Sequence, residues 1–157
     1  MAVGLVLSAC SKDKDTPQPP KENFVMIDGQ RLEIKSVRAL HNKSRGRIMV
    51  NLQLSRQNRS WVWVDGIAAE LHGKTIDLTK LNAKIGLYFY YFNGDHNIFL
   101  LNSAQGQVFD SGTLYTSVDP NTRDTEINLT NGKLTYEGKE HTVSLYYKGK
   151  ADKMVGD

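Results

Sequence analysis

The sequence contains a single cysteine, Cys10, among 157 residues. A chain with one thiol cannot form an internal disulfide, so its folded domain has to be stabilised by a hydrophobic core. No apolar run approaches the roughly 20 residues that a membrane-spanning helix requires. The formal net charge is only +3, with both signs spread along the chain, whereas a nucleic-acid-binding domain carries a clustered basic face. We therefore expect no nucleic-acid partner.

Motifs that carry catalytic chemistry are also missing. There is no Gly-x-Ser-x-Gly elbow and no glycine-rich phosphate loop, and the four histidines show no metal-ligand spacing. We expect a non-enzyme without a metal site or a cofactor. A hydrolase with no recognisable motif remains the enzymatic alternative, and it would need paired carboxylates or a Ser-His pair that converge in one cleft. The histidines are His41, His72, His96 and His141, and the candidate carboxylates are Asp65, Glu70, Asp77, Asp95 and Asp110.

The N-terminus has the organisation of a lipoprotein signal. An apolar run, Ala2 to Leu7, is followed by two small residues and Cys10, and the segment Leu7-Ser8-Ala9-Cys10 resembles the lipobox of bacterial lipoproteins. Secretory signals have a basic n-region, but no Lys or Arg precedes Cys10. This indicates either a start assigned too late or a truncated chain.

The resemblance implies that Cys10 bears two or three acyl chains such as palmitate, which would anchor the protein stably without a transmembrane helix. It divides the chain into a signal (1–10), a tether (11–22) and one domain (23–157). The prolines of the tether favour extended polyproline II backbone, which spaces a domain away from a bilayer. The expected location is the bacterial outer membrane, on the periplasmic face or the cell surface.

Beyond the tether, apolar and polar residues alternate with the period of a β-strand. Ile48, Val50, Leu52 and Leu54 form the clearest case. In segment 31–40 the apolar residues Leu32 and Ile34 are out of phase with Val37 and Ala39. This predicts a bulge near Lys35 or Ser36. The predicted strands are 24–27, 31–40, 47–55, 61–64, 67–72, 85–92, 97–102, 107–117, 125–130, 133–136 and 141–148, and segment 67–71 also suits one helical turn.

Dipeptides that favour tight turns separate these runs, namely Asp28-Gly29, Asn93-Gly94, Asn131-Gly132 and Glu137-Gly138. Such residues supply the positive φ angles that hairpins need. Short strands with frequent turn signals predict an antiparallel β-sandwich of nine to eleven strands. A lipocalin-like barrel with a small-molecule cavity is the alternative, since both folds use the same alternation.

Two further segments resemble parts of small uncharacterised envelope lipoproteins of gut Bacteroidetes. They are Leu71-His72-Gly73-Lys74-Thr75-Ile76-Asp77-Leu78-Thr79 and the C-terminal stretch from Asn131 to Gly149. Residues 11–15 also partly resemble the export signal that sends such lipoproteins to the cell surface. The resemblance implies an all-β domain on a cell envelope and carries no catalytic residue across.

The aromatic residues are the best candidates for a binding surface. Trp61 and Trp63 share one face of a predicted strand, and Tyr88 and Tyr90 share one face of another. If Leu87, Phe89 and Tyr91 fill the core, then Tyr88 and Tyr90 are half-covered by the neighbouring strand. The alternative is an exposed aromatic platform for a glycan, a peptide or a protein partner. The sequence thus predicts a lipid-anchored, non-catalytic binding module.

Overall fold

The computed structural model describes residues 22–55, 59–93, 96–102 and 109–154. The lipidation prediction at Cys10 and the signal 1–10 lie outside these residues, as does the tether up to residue 21. No helix in the described part of the chain is long and apolar enough to cross a membrane.

The described chain is almost entirely β-structure, with one four-residue helix, α1 (Ala68–Leu71), and one 3₁₀ turn (Leu78–Lys80). The strands are β1 (Phe24–Ile27), β2 (Gln30–Leu32), β3 (Ser36–Asn42), β4 (Arg47–Gln53), β5 (Trp61–Ile67), β6 (Lys74–Asp77), β7 (Ile85–Asn93), β8 (His96–Asn102), β9 (Ser111–Val118), β10 (Asp124–Tyr136), β11 (Lys139–Lys150) and β12 (Lys153–Met154).

These strands form two six-stranded sheets. The first has the order β2-β1-β11-β10-β9-β6 and the second the order β12-β3-β4-β5-β7-β8. The pairings are antiparallel except for the short parallel contact of β12 with β3. The predicted β-sandwich is confirmed. The barrel alternative is wrong, because each sheet ends in two edge strands and does not close on itself.

The core lies between the inner faces of the two sheets. In β5, Val62 and Val64 are buried while their neighbours are half-exposed, and Leu87 and Phe89 repeat this pattern in β7. Tyr91 is also buried, so the prediction that Leu87, Phe89 and Tyr91 face the core is confirmed. The side chains of Phe89 and Phe109 lie 6.5 Å apart between ring centroids and fill the interior. Each fully buried side chain of this size contributes about 1.5–3 kcal/mol.

The predicted single strand 31–40 is wrong. Residues 30–32 form β2 in the first sheet and residues 36–42 form β3 in the second. The phase change near Lys35 therefore marks the point where the chain crosses between sheets and is not a bulge. Each half turns its own apolar residues, such as Val37 and Ala39 in β3, toward the shared core.

Two of the predicted turns are confirmed as tight hairpins with positive φ at both central residues. Asp28 and Gly29 have φ of 51° and 78°, and Glu137 and Gly138 have φ of 49° and 75°. For the Asn93-Gly94 turn, the backbone pairs Asn93 with His96 across β7 and β8, while residue 94 lies outside the described residues.

The predicted turn at Asn131-Gly132 is wrong, because this dipeptide lies inside the continuous strand β10. The register of β10 shifts between Leu129 and Gly132, which is a β-bulge. A side chain at Gly132 would place its Cβ 2.7 Å from the Val143 carbonyl oxygen. The glycine is therefore required by close backbone approach and not by a chain reversal.

By sequence, segment 67–71 suits either a strand or one helical turn, and the structure has the helix α1 there. Strand β6 was not predicted. Its four residues contain a single apolar side chain, Ile76, so the segment shows no alternation. It pairs with β9 at the edge of the first sheet and carries the chain back toward β7.

Candidate binding surface

The four predicted aromatic residues lie on the outer face of the second sheet. Because Val62 and Val64 point into the core, Trp61 and Trp63 point outward, and the same alternation places Tyr88 and Tyr90 outward on β7. The register sets Trp61 opposite Tyr90 and Trp63 opposite Tyr88. We call the surface formed by these four side chains the aromatic face.

The rings of the aromatic face are in mutual contact. Trp61 stacks on Tyr90, with centroids 4.4 Å apart and an interplanar angle of 26°. Trp63 lies 5.6 Å from Tyr88 and meets Trp61 edge-on at 5.9 Å. All four side chains are half-buried and remain partly open to solvent. The structure thus brings the four predicted residues together in one patch, while ligand binding by that patch stays a prediction.

Polar side chains border the aromatic face on β3 and β4. Gln53 lies opposite Trp61, and Asn51 lies opposite Trp63. Ser36 Oγ donates a hydrogen bond to Gln53 Oε1 at 2.9 Å, which fixes that amide at the edge of the face. Beyond Trp63 on the same strand, Asp65 forms an ion pair with Arg47. Sequence reasoning missed this border, although the polar positions of the 47–55 alternation could have indicated it.

The indole N–H of Trp63 is buried and has no hydrogen-bond partner in the described part of the protein. A buried donor left unsatisfied costs about 1–3 kcal/mol. The packing of the rings therefore holds Trp63 in place at the expense of one hydrogen bond.

Gly86 provides the space in which the Tyr88 ring lies. A Cβ at Gly86 would be 2.5 Å from Tyr88 Cε2 and 2.7 Å from the Tyr88 hydroxyl oxygen. We expect Gly86→Ala to displace the Tyr88 ring but to change stability by only about 0.5 kcal/mol or less, because the clashing atoms are the far end of a half-exposed side chain that can move. Near-ultraviolet circular dichroism and urea denaturation measure both effects.

The control for this prediction is the same substitution in a Tyr88→Ala background, where the ring is gone and Gly86→Ala should leave the near-ultraviolet spectrum unchanged. Equal effects of Gly86→Ala in both backgrounds would show that Tyr88 does not lie over Gly86.

A groove of about 530 Å³ lies on the outer side of the first sheet, next to the loop after β9. Its charged groups are engaged with neighbours. Lys148 Nζ lies 3.1 Å from Glu126 Oε2, and Asp119 Oδ1 accepts hydrogen bonds from the backbone N–H groups of two loop residues. The residues lining it include His72, Tyr115, Ser117, Asp119, Asp124, Glu126 and Lys148.

Two carboxylates of this groove have lowered pKa values. The backbone N–H of Asn121 holds the pKa of Asp119 below its usual range, and the Thr122 hydroxyl does the same for Asp124. A general acid needs a raised pKa, so both carboxylates are tuned in the opposite direction. Of the carboxylates named from the sequence, Asp65 and Glu70 form ion pairs with Arg47 and Lys84.

The remaining candidate carboxylates either accept hydrogen bonds from threonine residues or lie outside the described residues. Asp77 accepts hydrogen bonds from the backbone and hydroxyl of Thr79, which lower its pKa. Asp110 accepts one from the Thr135 hydroxyl. Asp95 lies outside the described residues. Across the residues that the structure describes, no three His, Cys, Asp or Glu side chains converge as metal ligands.

Two histidines that sequence reasoning treated separately meet beside this groove. The rings of His41, on β3, and His72 lie 4.8 Å apart. His41 Nδ1 donates to the carbonyl oxygen of Val118 at 2.8 Å, and His72 Nδ1 accepts from the Val118 N–H at 3.3 Å. The pair therefore connects the second sheet to the end of β9 in the first.

This arrangement predicts a loss of stability on acidification. Burial, and next the nearby His41, lower the pKa of His72, against a smaller raising effect of Asp119. Since the folded state favours neutral His72, its contribution is complete above the ordinary pKa near 6.5 and is lost as the pH falls below it. We expect the free energy of unfolding, measured by urea denaturation, to fall as the pH is lowered through and below about 6.5.

The matched variant is His72→Asn, whose side-chain oxygen can still accept the Val118 N–H but does not titrate. Its pH dependence should be shallower than that of the wild type. Superimposable profiles would rule out His72 as a source of the dependence.

No protein-family model, curated protein or solved structure matches this chain.

Proposed function

We propose that this chain is a lipid-anchored binding module of the bacterial cell envelope that catalyses no reaction, and that the aromatic face is its binding surface. The observation that carries the proposal is the contiguous set of four rings on the outside of the second sheet. Its ligand is a glycan, a peptide or a protein partner.

The aromatic area lies on the outside of the domain, where a ligand can cover it. Trp and Tyr side chains each bury about 150–250 Å² when they are fully covered. Here four of them share an outer sheet face and are only half-covered. Clustered apolar surface of this kind is typical of interaction sites. The amide groups of Asn51 and Gln53 at its border supply directional hydrogen bonds beside the rings.

The position of the aromatic face suits an anchored protein. The described chain enters the domain through β1, which belongs to the first sheet. The aromatic face is on the outer surface of the second sheet, so the chain does not enter across it. An anchor at Cys10 and a tether over 11–22 would thus leave the face accessible to a ligand outside the bilayer.

The anchor is tested by Cys10→Ser expressed with the native leader in a bacterial host. The wild-type chain should incorporate labelled palmitate and fractionate with the outer membrane, and Cys10→Ser should lose both properties. Equal labelling of the two proteins would contradict lipidation at Cys10.

The binding function is tested with a glycan and peptide array probed with the Cys10→Ser chain. A second probe carries Trp61→Ala and Tyr90→Ala in addition. The first probe should bind the array spots that carry ligands of the aromatic face, and the second probe should not bind them. If both probes retain the same ligands, the aromatic face is not the binding surface.

A further inference from the structure

We propose that the aromatic face binds an acidic glycan, a saccharide chain that carries carboxylate groups, with Arg38 as the residue that binds a carboxylate. The inference rests on the proposed function and adds the chemical class of the ligand. It is carried by the register of four adjacent strands and by the unbalanced charge of one side chain.

Side chains on the outer face of the second sheet are arranged in two parallel rows. In one row Asn51 lies opposite Trp63, which lies opposite Tyr88. In the other row Gln53, Trp61 and Tyr90 follow in the same order. Each row therefore presents an amide, an indole and a phenol, and the two rows are about 6.5–7 Å apart along the strands.

This repeated order fits the chemistry of a sugar chain. A pyranose ring has faces of C–H groups, which pack on aromatic rings, and a rim of hydroxyls, which both donate and accept hydrogen bonds. Asn and Gln amides also donate and accept, so each can pair with neighbouring hydroxyls while the sugar ring rests on the adjacent indole. Two successive rows of the same composition suit a ligand with a repeating unit.

The charge at the end of one row selects acidic sugars. Arg38, on β3, lies opposite Asn51 and so extends the row of Trp63. Its side chain is exposed, and within the described residues it has neither an ion pair nor a hydrogen bond. The next arginine on this face, Arg47, is already paired with Asp65. A guanidinium binds a carboxylate through two parallel hydrogen bonds. Arg38 has no such partner among the described residues, so its guanidinium can bind a carboxylate of the ligand.

Single-stranded nucleic acid also combines stacking with negative charge, but proteins that bind it carry a basic groove along the backbone. One of the two rows reaches Arg38, opposite which Lys153 of β12 lies in register, and the other row reaches Ser36. Basic residues therefore stand at one end of one row and do not line a groove along the rings. The observations therefore favour a ligand with spaced carboxylates and stacking faces over a polyphosphate chain.

The test is calorimetry of the full chain, carrying Cys10→Ser, with oligomers of galacturonic, glucuronic and mannuronic acid and with the methyl ester of each. At least one acid should bind about tenfold or more tightly than its ester, as expected for hydrogen bonds to a charged group. Arg38→Gln should abolish that difference, and added salt should reduce it. Arg31→Gln, which removes the same charge from the first sheet, should preserve it.

The outcomes separate this inference from the proposed function. If an acid and its ester bind equally, or if Arg38→Gln behaves like Arg31→Gln, the carboxylate assignment is wrong. Loss of binding on Trp61→Ala would then still support the aromatic face. If none of the uronic acid oligomers binds, or if an oligonucleotide or a peptide binds instead, the glycan class is overturned.

Discussion

Trp61→Ala should weaken ligand binding by at least tenfold while the domain stays folded. Trp61 stacks on Tyr90 and contacts Trp63, so its removal separates the two halves of the aromatic face. Stacking of a nucleobase on an aromatic side chain contributes about 1–3 kcal/mol, and we expect a loss of the same order for a ligand group that packs on Trp61. Because Trp61 is only half-buried, its loss should cost less stability than the loss of a core side chain.

Calorimetry with any ligand found on the array measures this effect, and circular dichroism checks the fold. Trp61→Phe is the matched variant, since it keeps a ring with a smaller stacking area and should fall between the wild type and Trp61→Ala. If a folded Trp61→Ala protein binds with unchanged affinity, the aromatic face is not the binding surface.

The second prediction compares neighbouring residues of β7. Phe89 is fully buried and packs against Phe109, whereas Tyr90 is half-buried on the outer face. Phe89→Ala should destabilise the protein by about 3–5 kcal/mol. That loss is a large fraction of the roughly 5–15 kcal/mol by which a domain is stable.

Tyr90→Ala is the control for this comparison, because it removes a larger side chain one residue away and should cost much less. Urea denaturation gives both free energies of unfolding. Comparable losses would mean that β7 does not alternate between core and surface as the structure shows. A greater loss for Tyr90→Ala would mean that the two faces are reversed.

Part of this arrangement follows from the sequence alone. In β4, β5 and β7 the alternation is regular, and inward and outward positions follow from it because successive strand residues point to opposite faces. This is why Trp61 and Trp63 could be placed on one face of one strand. Their contact with Tyr88 and Tyr90 depends on the pairing of β5 with β7. Between those strands the chain passes through α1 and β6, and β6 belongs to the other sheet. No local pattern encodes that pairing.

Other features were missed because one local signal has more than one structural meaning. The phase change near Lys35 is compatible with a bulge or with a crossing between sheets, and the choice depends on the long-range partners of β2 and β3. Asn131-Gly132 supplies positive φ for a hairpin, but here Asn131 uses it within a bulge. The contact of His41 with His72 requires the two sheets to meet at Val118, and nothing in the spacing of the histidines indicates it.

The most direct test of the central claim uses the intrinsic fluorescence of the protein. The chain has two tryptophans, and both Trp61 and Trp63 belong to the aromatic face. Acrylamide quenching is measured during a titration with a ligand whose affinity is known from calorimetry. If the aromatic face is the binding surface, quenching decreases to a plateau with a midpoint that matches the calorimetric affinity. Saturable binding with unchanged quenching and emission would place the ligand elsewhere and contradict the account.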